Sequence, residues 1–389
     1  MRGIGVAERR ARVGVRHRLA LRGGAVEEVV RSVVALHATD PASVFLAAWA
    51  RLAEPSHAAV ETALYEERSL VRMLGMRRTM FVVPLDLAPV VQTSCTDAIA
   101  AKQRKLLVQH LESAALNGDL DGWLRRTEEA AHRALLARGE ATGAQLGKDE
   151  PLLRTQIDPF PDKSYAKPGN ITNRVLGLLA AEGRIVRGRP LGSWISSQYR
   201  WSPVEAWLPG GMPAVPAAEA RVELVRRWLA AFGPGTVADL KWWTGWTAGD
   251  VKKALASIGP AEVDMDGVAG FVLPSDLEPV EAPPPWAALL PALDPSAMGW
   301  QQRGWYLGEH GPALFDRTGN IGPSIWWNGR IVGGWAQRPD GEVAVRLLED
   351  AGCEASAAID AEASRLTGWL GDVRVTPRFR TPLERELAA

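Results

Sequence analysis

Cysteine is scarce. The 389 residues hold two, Cys95 and Cys353, far apart in sequence. That excludes a disulfide framework and a cysteine-rich zinc site, and it fits a reducing cytoplasm. Long apolar runs are missing too: no stretch reaches the roughly eighteen residues of a membrane span. The opening "MRGIGVAERRARVGVRHRLA" is basic and lacks the apolar core of a secretory leader. Familiar catalytic signatures are also absent. There is no phosphate-cradling Walker loop, no Gly-x-Ser-x-Gly elbow and no His/Cys/Cys zinc spacing. "GPGTVADL" has the wrong spacing for a dinucleotide loop. His17, His57, His110, His132 and His310 are scattered. Neither a metal nor a cofactor is expected.

What remains is ordinary in bulk and uneven in detail. A chain of this length suggests two or three domains, and 47% hydrophobic with 23% charged residues suits a globular protein with real cores. The net charge is zero. Residues 1–200, however, hold 29 Lys+Arg against 21 Asp+Glu, and residues 201–389 hold 16 against 24. The first half is therefore about +8 and the second about −8. Two explanations stand: a polyanion partner for the basic half, or attraction between the halves.

The order of elements repeats. Residues 1–22, with seven arginines and one glutamate, read as a basic helix. Helices at about 25–36, 41–52 and 56–66 follow, and "LVRMLGMRRTMFVVP" reads as two short strands around Gly75. Three helices and a β-hairpin is the winged-helix order. A second copy runs from a helix at 123–138 through "GEATGAQLGKDE", capped by Thr142, and "GNITNRVLGLLAAEG" to the hairpin "RIVRGRPLGSWISSQYRWSP". A third has a helix at 217–232, helices capped by Thr236 and Thr247, and a hairpin turning at Asp266-Gly267. After the proline-rich 278–286, short strands suggest a small β-barrel or curled sheet, closed by a helix at 354–370. The expected fold is mainly α with β wings (α+β): winged-helix units at 1–100, 101–210 and 211–277, then a barrel domain at 278–389.

Chemistry concentrates in a few places. In "VVALHATDP" a break separates two apolar runs. Asp40-Pro41 is explained as a helix start, with an acceptor at the N-cap and proline at the first helical position. His37 and Thr39 lack that explanation. On an extended loop both side chains point the same way, so they read either as a satisfied loop pair or as catalytic groups. The preceding helix end favours imidazolium, and burial favours the neutral ring. Arg72, Arg77 and Arg78 sit on the first wing, and Arg184, Arg187 and Arg189 surround the second. Arginine on wings suits phosphates and narrow grooves. Asn173 and Arg174 open the second recognition-type helix, where free amides attract phosphate; Asn170 or Thr172 are cap candidates. The sixteen tryptophans read as core rather than base-stacking platforms, since their neighbours are apolar.

Six stretches carry a family resemblance: "LHATDPASVFLAAWARL", "LVRMLGMRRTMFVVPLDL", "IVRGRPLGSWISSQYRWSP", "FGPGTVADLKWWTG", "LLPALDPSAMGW" and "GPSIWWNGRIVGGWAQR". They run in order over most of residues 1–375. The chain resembles the winged-helix, AlkZ-like (YcaQ-related) DNA glycosylase family. That resemblance implies three tandem winged-helix units and a C-terminal barrel around a concave channel for double-stranded DNA. It implies hydrolysis of the N-glycosidic bond of alkylated purines. The family's Gln-x-Gln or Gln-x-Asp motif aligns with His37-Ala38-Thr39, so both polar positions are kept and both are changed in type. The expectation is a cytoplasmic, monomeric DNA glycosylase of repair or genotoxin resistance. The alternatives are a non-catalytic regulator or lesion sensor, and a protein that sequesters the genotoxin itself.

Overall fold

Three times along the chain, helices lead into a β-hairpin, and each time a residue ahead of the second helix pairs with the hairpin's returning strand. The computed structural model describes residues 2–114, 118–158 and 169–389. In the first unit the helices are Val26–Ser32, Pro41–Arg51 and His57–Glu61, and the last continues as a wide turn to Glu66. Leu70–Gly75 and Thr79–Pro84 form the hairpin, and Leu36–His37 adds a third strand against Thr79–Pro84. The second unit has helices Leu120–Arg138, Gly143–Asp149 and Thr172–Ala181, and strands Ile185–Pro190 and Tyr199–Pro203. Its matching bridge is Ala141 to Trp201. The third has helices Ala217–Phe232, Val237–Thr244 and Ala248–Ile258, strands Ala261–Met265 and Val268–Val272, and a bridge from Gly235 to Phe271. This recurrent small strand is what makes each unit a winged helix rather than a helix bundle with a loose hairpin.

Local chemistry sets the helix starts. Thr142 accepts from the Gln145 amide, and Thr236 accepts from that of Asp239; each is half of a reciprocal capping box. Thr247 accepts from the amide of Asp250. Asp266 and Gly267 take φ values of 53° and 88°, as a tight hairpin turn between twisted strands requires.

Three expectations need correction. The chain's start is not one long helix. Arg2–Gly3 is a strand that pairs in parallel with Ala261–Met265 of the third unit, and the helix spans Val6–Arg16. Residues Asp97–Ser113 form a 17-residue helix between the first two units that the sequence pattern did not announce. The C-terminal strands do not close into a barrel. Among the described residues they form an open four-stranded antiparallel sheet, in the order Ala287–Leu290, Ser324–Trp327, Arg330–Gln337, Val343–Leu347. Helix Cys353–Leu370 packs against both edge strands and Pro382–Leu387 against a central one, so the edges are covered rather than joined.

Helix Pro41–Arg51 lies at the centre, with every residue buried. Its last residue forms a fully buried, two-pronged ion pair with Asp294 at 2.7 and 2.9 Å. Ser296 accepts from Arg51 at 2.8 Å and bonds His17 Nδ1 at 2.8 Å, while His17 Nε2 donates to the Ala231 carbonyl at 3.1 Å. One polar network thus joins the first unit, the third and the C-terminal sheet domain. No helix among the described residues is long and apolar enough to cross a membrane.

Candidate active site and nucleic-acid interface

Leu36 and Ala38 have no exposed surface and face the core. Alternation therefore turns His37 and Thr39 to the opposite face. The helix before them ends at Ser32, and the chain then passes through left-handed Val34 (φ 67°) into the strand. His37 consequently lies on a strand paired with Phe81, not at a helix end. Its ring meets Phe81 edge-on at 5.3 Å, it is nearly buried, and its Nδ1 is buried with no hydrogen-bond partner. Burial, aided by the nearby positive Arg77, pulls the imidazole down to about 3. The ring is neutral at pH 7.

The backbone around His37 is pinned. The Ala38 amide donates to the Met80 carbonyl at 2.8 Å, and Arg72 donates to the Ala38 carbonyl. Asp40 caps the central helix by accepting from the Ala42 amide at 3.1 Å, and its other oxygen accepts from the Arg378 amide at 3.0 Å. Desolvation pushes the Asp40 carboxyl up. Both oxygens serve structure, as the Asp-Pro pattern implies.

Thr39 is half-buried and lines a cavity of about 260 Å³. His37 does not line it. Arg72, Arg78 and Arg187 share that cavity with Gln103 and Trp201. A second cavity of about 260 Å³ continues past Arg78 and Gln103 to Asn173 and Arg174. A third, about 460 Å³, runs from the same two residues past Arg77 and Lys102 to Trp246 and Arg221. Arg78 and Gln103 border all three, so the hollows join into one concave surface between the first two wings, helix Asp97–Ser113 and the third unit.

The sequence-selected arginines divide into two groups. Arg72, Arg77, Arg78, Arg174 and Arg187 border the concave surface, and none makes an ion pair among the described residues. Arg72 is buried rather than displayed on its wing, and desolvation lowers its guanidinium to about 10. Arg77 lies 4.0 Å from the Trp242 ring centre, and Arg187 lies 4.4 Å from that of Tyr199. Arg184 and Arg189 are different. Arg184 pairs with Glu129 at 2.9 Å, and Arg189 pairs with Glu61 at 2.7 Å and Glu66 at 3.2 Å. Asn173 is exposed at the second cavity. Neither cap candidate caps its helix: Thr172 donates to the Leu153 carbonyl at 2.7 Å, and Asn170 bonds Gln156.

Sequence reading missed Lys102, Gln103 and Arg378. The run "KQRK" was the available signal for the first two. Arg378 had none, because it reaches Thr39 and Asp40 from the far end of the chain. The tryptophans mostly pack inward. Trp49, Trp228 and Trp326 are fully buried, whereas Trp242 and Trp246 are half-buried and near the concave surface. No cluster of metal-ligating side chains occurs among the described residues.

A family model described as DNA glycosylase AlkZ-like matches residues 30–369. An interstrand DNA cross-link repair glycosylase of Streptomyces sahachiroi is 27% identical over 263 residues, covering 65% of this chain and 68% of that protein. The solved structure of the Streptomyces sahachiroi DNA glycosylase AlkZ superposes with a TM-score of 0.73 at 20% identity. It covers 94% of this chain and 97% of that one.

Proposed function

The chain belongs to the AlkZ-like DNA glycosylase family, and from that premise we propose that it removes alkylated purines from duplex DNA by hydrolysis, with His37 and Thr39 directing the water. The family assignment makes it a DNA repair glycosylase with DNA as its partner. The lesion class, the roles of individual residues, the boundaries of the three winged-helix units and action as a monomer in a reducing cytoplasm are our reading.

The chemistry fits a neutral site. A purine alkylated at nitrogen-7 carries positive charge and departs without a strong acid. What remains is to place water and tolerate an oxocarbenium-like sugar. A protonated His37 would oppose that positive charge, and burial removes the difficulty by keeping the ring neutral. The observation that carries the reading is the His37 Nδ1, buried, unpartnered and on the face shared with Thr39. A ring nitrogen with no protein partner is free to bond a water. The Thr39 hydroxyl can both donate to and accept from the same water. No lysine lies in the motif, so a Schiff-base step is not implied. The Streptomyces relative is named for interstrand DNA cross-link repair, which adds cross-linked DNA to the candidate substrates.

Single-turnover base release from alkylated duplex DNA tests the proposal. His37→Ala is expected to slow release by roughly 10²-fold, the usual scale for losing a general base or water-orienting group, with DNA affinity nearly unchanged. Equal rates in wild type and variant would remove His37 from the reaction. Sequence-specific protection of undamaged DNA in a footprint would favour a regulator instead.

A further inference from the structure

The cavity beside Thr39 has a charge problem that the glycosylase reading alone does not solve. Arg72 and Arg187 line it, Arg78 stands at its rim, and Arg378 approaches Thr39 from outside. None of the four has a carboxylate partner in an ion pair among the described residues, although most arginines elsewhere in the chain do. Arg72 is buried and its Nε has no hydrogen-bond partner. Desolvation depresses Arg187, and neighbouring Arg378 adds to the effect. Concentrated, unpaired guanidinium groups ask for an anion. The alkylated base is a cation until its bond to the sugar breaks, and the sugar then takes on the positive charge, so this cavity is the wrong place for either. A phosphodiester has the charge, and its paired oxygens match the planar fork of arginine.

We propose that Arg72 and Arg187 form a phosphodiester site that grips the backbone beside the target nucleotide and sets the His37–Thr39 loop through Arg72. The loop connection is direct. Arg72 donates to the carbonyl of Ala38, the residue between His37 and Thr39, while the Ala38 amide is held by Met80. Guanidinium is rigid and has five donors. A phosphate that orients Arg72 therefore also orients the Ala38 peptide, and with it the faces of His37 and Thr39. Arg187, 4.4 Å from the Tyr199 ring centre and 5.9 Å from that of Trp201, is presented to the same cavity. Arg187 is the grip, and Arg72 is both grip and positioning residue. This inference rests on the reading of the site as a glycosylase centre, and it adds which chemical group of the DNA the cavity receives.

The test uses the full chain and a duplex carrying one tetrahydrofuran abasic analogue, with methylphosphonate replacing one phosphate at a time around it. Binding is read by fluorescence anisotropy. In wild type, one neutralised linkage is expected to weaken binding by roughly tenfold, the scale of one charge-assisted hydrogen bond. In Arg187→Ala that linkage should no longer matter, since its partner is gone. Arg72→Lys keeps the charge but cannot hold both Ala38 and a phosphate. It should bind within about threefold of wild type yet release base roughly tenfold more slowly. The proposal is overturned if every linkage has the same effect in Arg187→Ala as in wild type, or if Arg72→Lys loses binding and rate in equal measure. Coupling at one linkage with no base release from any alkylated duplex would sink the glycosylase reading and leave the phosphate site standing. Absence of DNA binding would remove both.

Discussion

A buried imidazole that stays neutral can direct water but cannot protonate a departing base. With its ionisation pulled down to about 3, His37 is uncharged across the physiological range. The single-turnover rate is therefore expected to be flat between about pH 5 and pH 8, with no step near the ordinary histidine value of about 6.5. A step there that disappears in His37→Gln would show that imidazolium takes part. The same depression has a consequence for stability. His17 is also pulled down to about 3, chiefly by burial. Between pH 6.5 and 3 the unfolded chain binds protons at both rings that the folded chain does not. Their stabilisation is complete above about pH 6.5 and is lost as the pH falls, on the order of 2 kcal/mol per histidine by pH 5. Urea unfolding at pH 7.5 and pH 5 measures this, and equal midpoints would contradict the buried neutral rings. His37→Gln has a further use, because it restores one amide of the family motif and should keep more activity than His37→Ala.

The turn of the first wing shows function set against backbone preference. Arg77 and Arg78 both lie in the left-handed region, at φ 53° and 62°. Such conformations cost roughly 1–2 kcal/mol per non-glycine residue. Nothing in packing requires Arg78 there, since it is exposed, yet it borders all three cavities of the concave surface. Arg78→Gly should therefore give a melting temperature equal to or above wild type while weakening duplex binding several-fold, as loss of one phosphate contact implies. A drop in both would mean that Arg78 holds the turn itself. Elements of this size also mark how far the sequence could be read. Thr142, Thr236 and Thr247 were legible as caps because their partners lie three residues away. The strand Leu36–His37 was not, because its partner, Thr79–Pro84, lies more than forty residues on and the strand has only two residues. A still longer separation hid the partners of Arg189, which meet it only in the fold. Helix Asp97–Ser113 was missed because its polar face is shared: Arg104 turns to Asp121, Glu128 and Glu182, while Lys102 and Gln103 face the cavities. His37 and Thr39 stood out in the sequence, but whether the ring was charged depended on a burial that only the assembled core provides.

At the scale of the whole molecule, attraction between the halves accounts for part of the charge asymmetry. Arg12 and Arg16 pair with Asp276, Arg22 with Glu362 and Arg51 with Asp294, so part of the basic half is neutralised by the acidic half. The innermost of these fixes the architecture. Asp294→Ala would strand Arg51 in the core at a cost of about 3–5 kcal/mol, visible as a lowered urea midpoint with the arginines of the concave surface untouched. An unchanged midpoint would show that Arg51 finds another partner. Among the arginines with no ion pair, Arg72, Arg77, Arg78, Arg174 and Arg187 border the concave surface. That sorting predicts how binding responds to salt. If four or five of them meet phosphates, log affinity should fall with log salt at a slope of about −4. Arg187→Ala should reduce the slope by about one unit. Arg189→Ala should leave it unchanged, because that guanidinium is already held by Glu61 and Glu66. The sequence had grouped Arg187 and Arg189 together as neighbours on one wing; the fold separates them, and the paired salt titrations decide between these assignments. If Arg189→Ala lowered the slope and Arg187→Ala did not, the DNA would have to lie across the outer edge of the second wing, away from Thr39, and the concave surface would lose its claim to the duplex.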